Sequence, residues 1–99
     1  MVSNMHLNHD VVCKIVIETI VQYLGEEGAD IHDESQLEAD YGLDSTELVC
    51  VAVDLERRLG LDLKQIRFGQ LKTPNDIADA VVDLLGRRSV RSMPALASA

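Results

Sequence analysis

The chain has 99 residues, of which 46% are hydrophobic and 3% aromatic, and its formal net charge is −8. This length allows a single hydrophobic core, which excludes most stand-alone enzymes, and the scarcity of aromatic residues requires a core of aliphatic side chains. The acidity argues against a nucleic-acid-binding protein, because phosphate binding needs a basic surface. An acidic surface favours basic partners instead.

The acidic charge is concentrated in the first part of the chain. Residues 1–56 hold thirteen of the seventeen acids and one basic residue, for a balance of −12, whereas residues 57–99 have a balance of +4. Two cysteines, Cys13 and Cys50, are too few for a disulfide framework, so we expect free thiols in a reducing, cytoplasmic compartment.

The first predicted helix begins at Asn8 to Asp10, where short polar side chains suit an N-cap, and it ends at Gly25. Apolar or weakly polar residues recur there with a period of about 3.6 residues: Val12, Ile15, Val16, Thr19, Ile20 and Tyr23. This apolar stretch is too short and too charged, with Lys14 and Glu18 inside it, to span a membrane.

Residues 25–44 have no sustained period and include eight acids, which predicts a long ordered loop. Isolated apolar residues along it are expected to fix it to the core: Ile31, Leu37, Tyr41 and Leu43. The second main helix has a clear start, because Asp44 followed by Glu47 is a capping-box pattern. Its predicted buried stripe is Leu48, Ala52, Leu55 and Leu59, and Gly60 ends it.

The remaining chain predicts one short helical turn and a final helix. The turn lies within residues 64–70, where Gly69 limits its length. Thr73 suits the N-cap of the last helix and Pro74 its first position, and Gly86 is expected to end it. The predicted core residues of this helix are Ile77, Ala78, Val81, Leu84 and Leu85.

The predicted fold class is all-α: a small four-helix bundle, with three main helices and one short helix, and a long first loop. We expect a flexible N-terminus over residues 1–7, one domain over 8–86 and a disordered basic tail over 87–99. The tail has three arginines and no acid, and its other residues are mostly Ser, Ala and Pro.

The four residues Gly42, Leu43, Asp44 and Ser45, followed by an amphipathic helix, resemble the signature of the acyl carrier protein family of phosphopantetheine-binding carriers. The order and spacing of the elements also resemble this family over roughly residues 8–86. The resemblance implies that Ser45 carries a 4′-phosphopantetheine arm, attached by a phosphopantetheinyl transferase that uses coenzyme A and Mg²⁺. It implies no catalytic activity for the protein itself. We expect no metal site, because no Cys or acid lies at a recognisable zinc-ligand spacing from His6, His9 or His32.

Within this resemblance, Asp44 caps the helix and helps to hold the metal-bound coenzyme during loading. Gly42 gives a tight backbone path and Leu43 fixes the direction of entry into the helix. The same helix is the expected docking surface for partner enzymes, which include an acyl-loading enzyme and a ketosynthase or other acyl-transferring enzyme. The candidate docking residues are Thr46, Glu47, Val49, Val53, Asp54 and Glu56, although such charges can also be an ordinary solvated face.

Three residues depart from the acidic helix of fatty-acid carriers, namely Cys50, Arg57 and Arg58. They favour an acyl carrier of polyketide or hybrid specialised metabolism, and we expect this carrier to be discrete and monomeric. A peptidyl carrier for aminoacyl groups and a fatty-acid carrier stay open as alternatives. From other classes, an unmodified interaction scaffold is a further alternative, and a hydrolase with Ser45 as nucleophile is remote because no histidine is placed to act as its base.

Overall fold

In this computed structural model, the backbone is described for residues 8–98 and the side chains for residues 8–86. The described backbone has no strands and 71% helix, which confirms the predicted all-α class. Four α-helices are present there, and two 3₁₀ turns, Gly25–Gly28 and Phe68–Gln70, lie between them. The helices are α1 (His9–Leu24), α2 (Leu37–Tyr41), α3 (Ser45–Leu59) and α4 (Pro74–Ser98).

Side-chain caps fix the starts of α1 and α4 as predicted. The Val11 N–H donates to Asn8 Oδ1 at 2.9 Å, which satisfies one of the unpaired amides of the first turn. At α4, the Asp76 N–H donates to Thr73 Oγ1 at 3.0 Å, and the Thr73 N–H donates to Asp76 Oδ2 at 3.3 Å. This reciprocal pair is a capping box built around the Thr-Pro start.

The aliphatic core lies between α1, α3 and α4, and α1 packs against both other helices. At the surface, His9 Nε2 at the start of α1 lies 3.0 Å from Asp79 Oδ1 of α4. This pair links α1 to α4. Fully buried core side chains come from every α-helix, from the α2–α3 connection and from the α3–α4 connection: Val12, Val16, Ile20, Leu37, Leu43, Val51, Leu55, Leu63, Ile77 and Val81. Val51 was missed by the predicted stripe of α3, and Ala52 and Leu59 are only partly buried.

The segment between α1 and α3 is more structured than the sequence predicted. Instead of one loop over residues 25–44, it includes the helical turn α2. The N–H of the fully buried Leu37 donates to the Lys72 carbonyl at 2.8 Å, so a tertiary hydrogen bond holds α2 in place. The predicted short helix within residues 64–70 is only the 3₁₀ turn Phe68–Gln70.

The predicted end of the last helix is wrong, because α4 continues through Gly86 to Ser98. The glycines that do end helices, Gly25 and Gly60, have φ of 69° and 68°, whereas Gly86 keeps a helical backbone. The domain boundary at residue 86 and the disordered state of the tail stay predictions. The predicted flexible segment, residues 1–7, lies outside the described residues.

Candidate functional site

The Gly42–Ser45 motif forms the connection between α2 and α3. Gly42 has a left-handed backbone, with φ of 70°, and its N–H donates to the Glu38 carbonyl at 2.9 Å. A side chain would be strained there, so glycine is needed to end α2 and reverse the chain. Leu43 follows with 1% exposure, and this buried side chain fixes the direction in which the chain enters α3.

Asp44 is the N-cap of α3. Its Oδ1 accepts a hydrogen bond from the Glu47 N–H at 2.9 Å, and the Asp44 N–H donates to Glu47 Oε1 at 3.3 Å. The predicted capping box is therefore present, and the aspartate replaces the usual Ser or Thr in it. Both carboxylates also lie at the positive end of the helix dipole, where negative charge is stabilised.

Ser45 is the first residue of α3 and is exposed to solvent. The amides of Ser45 and Thr46 precede the first intrahelical hydrogen bond, which joins the Leu48 N–H to the Asp44 carbonyl at 2.9 Å. Such amides point out of the helix end and can bind an anion together with the dipole. The position therefore tolerates a phosphodiester on the serine hydroxyl without a basic side chain beside it.

Gly69 of the second 3₁₀ turn lies against Ser45, a contact that the sequence did not indicate. A Cβ added to Gly69 would lie only 2.7 Å from the Ser45 Cβ. Gly69 also lines a groove of about 460 Å³ that has Leu48 in its wall, with polar and charged residues beside it: Gln36, Glu38, Gln70 and Lys72. In the sequence Gly69 was read only as a limit on helix length.

A comparison with models of known protein families found a match. The family model described as "Phosphopantetheine attachment site" matches residues 14–81, more than half of the chain. The chain belongs to this family. No curated protein and no solved structure was found to match it.

Members of the phosphopantetheine-attachment family carry covalently attached 4′-phosphopantetheine, and their domains are generally carriers without catalytic activity. The residues present here fit such a group, because an exposed serine hydroxyl lies at a helix start whose first amides can bind a phosphate. Gly69 lies against this serine without a side chain of its own, since a Cβ there would collide with the Ser45 Cβ. A carrier domain implies interaction with a transferase and with acyl-handling enzymes.

The apolar docking residues lie on the same face of α3 as Ser45. Val49 and Val53 follow Ser45 at intervals of four residues, which places them in one row along the helix. Their exposed fractions are 55% and 46%, the largest among the exposed apolar residues of the described chain. Thr46 is exposed as well.

The acidic docking residues also have partners within the fold. Glu47 belongs to the capping box, and Asp54 Oδ2 lies 3.4 Å from Arg58 Nε on the next turn. Glu56 Oε2 accepts the Leu63 N–H at 2.7 Å and is 20% exposed, so this carboxylate holds the chain after α3. Their roles in docking stay predictions.

Two side chains of α1 have a raised pKa. Desolvation, followed by the nearby negative charge of Glu47, raises the pKa of Tyr23. Burial raises the pKa of the Cys13 thiol, which disfavours the reactive thiolate. Cys50 is exposed on α3.

Among the described residues, no helix is both long and apolar enough to cross a membrane. The same residues also contain no group of three His, Cys, Asp or Glu side chains that could bind a metal ion.

Proposed function

We propose that the protein is an acyl carrier in which Ser45 holds the 4′-phosphopantetheine arm. The observation that carries the proposal is the exposed position of Ser45 at the start of α3, within the matched family domain. Gly42, Leu43 and Asp44 support it, because together they turn the chain, anchor it in the core and cap the helix immediately before the serine.

In the loading reaction, the Ser45 hydroxyl attacks the phosphorus of coenzyme A that bears the pantetheine arm. A new O–P bond forms, the bond to the adenosine bisphosphate part breaks, and the serine proton passes to a base of the transferase. Asp44 precedes this serine in the chain and would help to orient the Mg²⁺-bound coenzyme. The thiol of the attached arm supplies the site for a thioester, and tethering raises the effective concentration of the intermediate at partner enzymes.

Intact mass spectrometry after incubation with coenzyme A, Mg²⁺ and a broad-specificity phosphopantetheinyl transferase tests this function. We expect the parent to gain one phosphopantetheinyl group and Ser45→Ala to gain none while keeping its helical circular dichroism. Thr46→Ala, which removes the neighbouring hydroxyl, is the matched control and should still be loaded. An unloaded parent, with the transferase active on another carrier, would favour the unmodified scaffold instead.

We further propose that the row formed by Val49 and Val53 is the apolar part of the enzyme-docking surface. It begins at the attachment residue, so an enzyme that reaches the arm must lie over it. The partly exposed carboxylates of Glu47, Asp54 and Glu56 lie on the same helix, and in this proposal they suit a partner with basic side chains.

Steady-state loading kinetics test this surface. Val53→Lys should raise the KM for the carrier roughly tenfold, because it removes an apolar contact and adds a charge that repels a basic partner. Val11→Lys is the matched control, since Val11 is an exposed valine of α1, 37% accessible, outside the proposed surface. Equal KM values for the two variants would show that the row does not contact the transferase.

For the pathway, we propose polyketide or hybrid specialised biosynthesis in the cytoplasm. Cys50 and Arg57 are exposed on α3, and Arg58 is engaged with Asp54 and Gln22, so this part of the helix is less acidic than the resemblance to fatty-acid carriers implies. The loaded protein should accept an acyl group from a malonyl-type acyltransferase. Loading by an adenylating enzyme alone would identify a peptidyl carrier instead.

A further inference from the structure

The turn Phe68–Gln70 approaches Ser45 so closely that residue 69 has no room for a side chain. A Cβ at this residue would lie 2.7 Å from the Ser45 Cβ, 3.5 Å from its Cα and 3.8 Å from its Oγ. Carbon atoms in contact prefer about 3.5–4.0 Å, so one of the two segments would have to move by roughly 1 Å.

The backbone conformation of Gly69 does not explain the glycine. In the described chain, positive φ angles occur at Gly25, Gly42 and Gly60, where glycine relieves backbone strain. Gly69 is not among them, so space alone excludes a side chain there. Gly86 gives the contrast, because a Cβ added to it would meet nothing within 4 Å.

The turn is anchored in the fold on both sides of Gly69. Phe68 is 3% exposed, and its carbonyl accepts the Leu71 N–H at 3.0 Å. The adjoining Lys72 carbonyl is bonded to Leu37 of α2. Ser45, by contrast, is an exposed first residue of its helix. A side chain at residue 69 would force the two segments apart and shift Ser45 relative to the turn.

From this contact we propose that Gly69 is a positioning residue for the modification of Ser45, leaving the serine where its hydroxyl can be loaded. The inference rests on the proposed function and extends it to a residue 24 positions away in the chain. Gly69 acts through Ser45 and touches neither the coenzyme nor the transferase in this role. The docking row at Val49 and Val53 is unchanged by a substitution at residue 69.

The first experiment compares the loading kinetics of Gly69→Ala with those of Gly86→Ala. Misplacing a reacting atom by about 1 Å can lower a rate by up to roughly a hundredfold. We expect the kcat of loading to fall about tenfold or more for Gly69→Ala, with little change in the KM for the carrier. Gly86→Ala should match the parent in both constants. This split is the opposite of that expected for Val53→Lys.

The second experiment needs no transferase. It tests whether the effect of Gly69→Ala arises from contact with the Ser45 side chain. Gly69→Ala should lower the melting temperature of the parent by about 4 °C or more. In the Ser45→Gly background, which lacks the contacted Cβ, the same substitution should lower it by less than half as much. Such coupling is expected only for residues in contact.

The outcomes separate the two proposals. If the parent is not loaded, the proposed function fails, and the positioning role fails with it. If the parent is loaded and Gly69→Ala has an unchanged kcat, only the positioning role is overturned. A slower Gly69→Ala without coupling to Ser45 in the melting experiment would also overturn it, because the effect would then arise from elsewhere in the fold.

Discussion

At the scale of single residues, the site depends on a division of tasks among four consecutive positions. Gly42 supplies the left-handed turn, Leu43 the anchor in the core, Asp44 the helix cap and Ser45 the exposed hydroxyl. Because each task belongs to a different residue, the contribution of each residue to stability is separate from any role that it has in loading. Asp44 allows this separation to be measured.

Asp44→Ala is expected to lower the free energy of unfolding by about 1 kcal/mol, because it removes the acceptor for the Glu47 N–H. Urea denaturation followed by circular dichroism measures the change. Asp44→Asn is the control, since its side-chain oxygen can still accept that hydrogen bond and should keep most of the stability. Equal losses for the two variants would show that the carboxylate charge, not the cap, stabilises α3.

At the scale of elements, the chain after α3 is held by a side chain of that helix. Glu56 accepts the backbone N–H of Leu63, whose side chain is fully buried, while Lys64 Nζ lies 3.9 Å from the same carboxylate oxygen. This fixes the path that leads to the turn Phe68–Gln70 beside Ser45. Glu56 therefore contributes to the site from a distance, through the placement of that turn.

Replacing Glu56 by Ala should lower the free energy of unfolding by roughly 1–2 kcal/mol, because it leaves a partly buried N–H without its acceptor. Asp54→Ala, which breaks the more exposed pair with Arg58 on the same helix, should cost about 0.5 kcal/mol or less. Chemical denaturation of the two variants checks the difference. A similar loss for both would indicate that the bond to Leu63 contributes little.

The elements differ in how far the sequence could predict them. Starts of α1, α3 and α4 were predictable, because Asn8, Asp44 and Thr73 are capping residues whose partners lie three positions away in the chain. The helix α2 was not, since five residues show no period and its anchor at Lys72 is distant in sequence. The end of α4 could not be predicted either, because a glycine ends a helix only where its backbone leaves the helical conformation, and Gly86 stays helical.

The same distinction holds within the candidate site. The Gly42–Ser45 motif could be read directly, because its four tasks are local to the chain. The close approach of Gly69 could not, since the distance to Ser45 depends on how the 3₁₀ turn packs on α3. The internal partner of Glu56 was hidden for the same reason, so a residue that resembled a surface charge in the sequence is bonded to the backbone of the next segment.

At the scale of the whole molecule, the charge distribution follows the architecture. The acidic residues 1–56 include α1, α2 and most of α3, whereas the basic balance lies in the later chain. The proposed attachment residue, Ser45, therefore lies in the acidic part of the sequence, and a partner that approaches it is expected to meet a field that attracts basic surfaces. Such attraction mainly raises the rate of encounter and is weakened by salt.

The complete carrier fold is expected to lie within residues 8–86, although α4 continues beyond them. The last core residue among the described side chains is Leu84, with 4% exposure, so a chain ending at Gly86 should keep every one of these buried contacts. We expect its melting temperature to stay within about 4 °C of the parent's and its loading to be unchanged.

A chain ending at Ala80 is the matched control for this truncation. It lacks Val81 and Leu84, two buried residues of α4 that belong to the common core, and loss of each large apolar side chain costs roughly 2–5 kcal/mol. This shorter chain should not fold, since a small domain has only about 5–15 kcal/mol of stability in total. If the chain ending at Gly86 were destabilised in the same way, the later turns of α4 would have to be part of the folded domain.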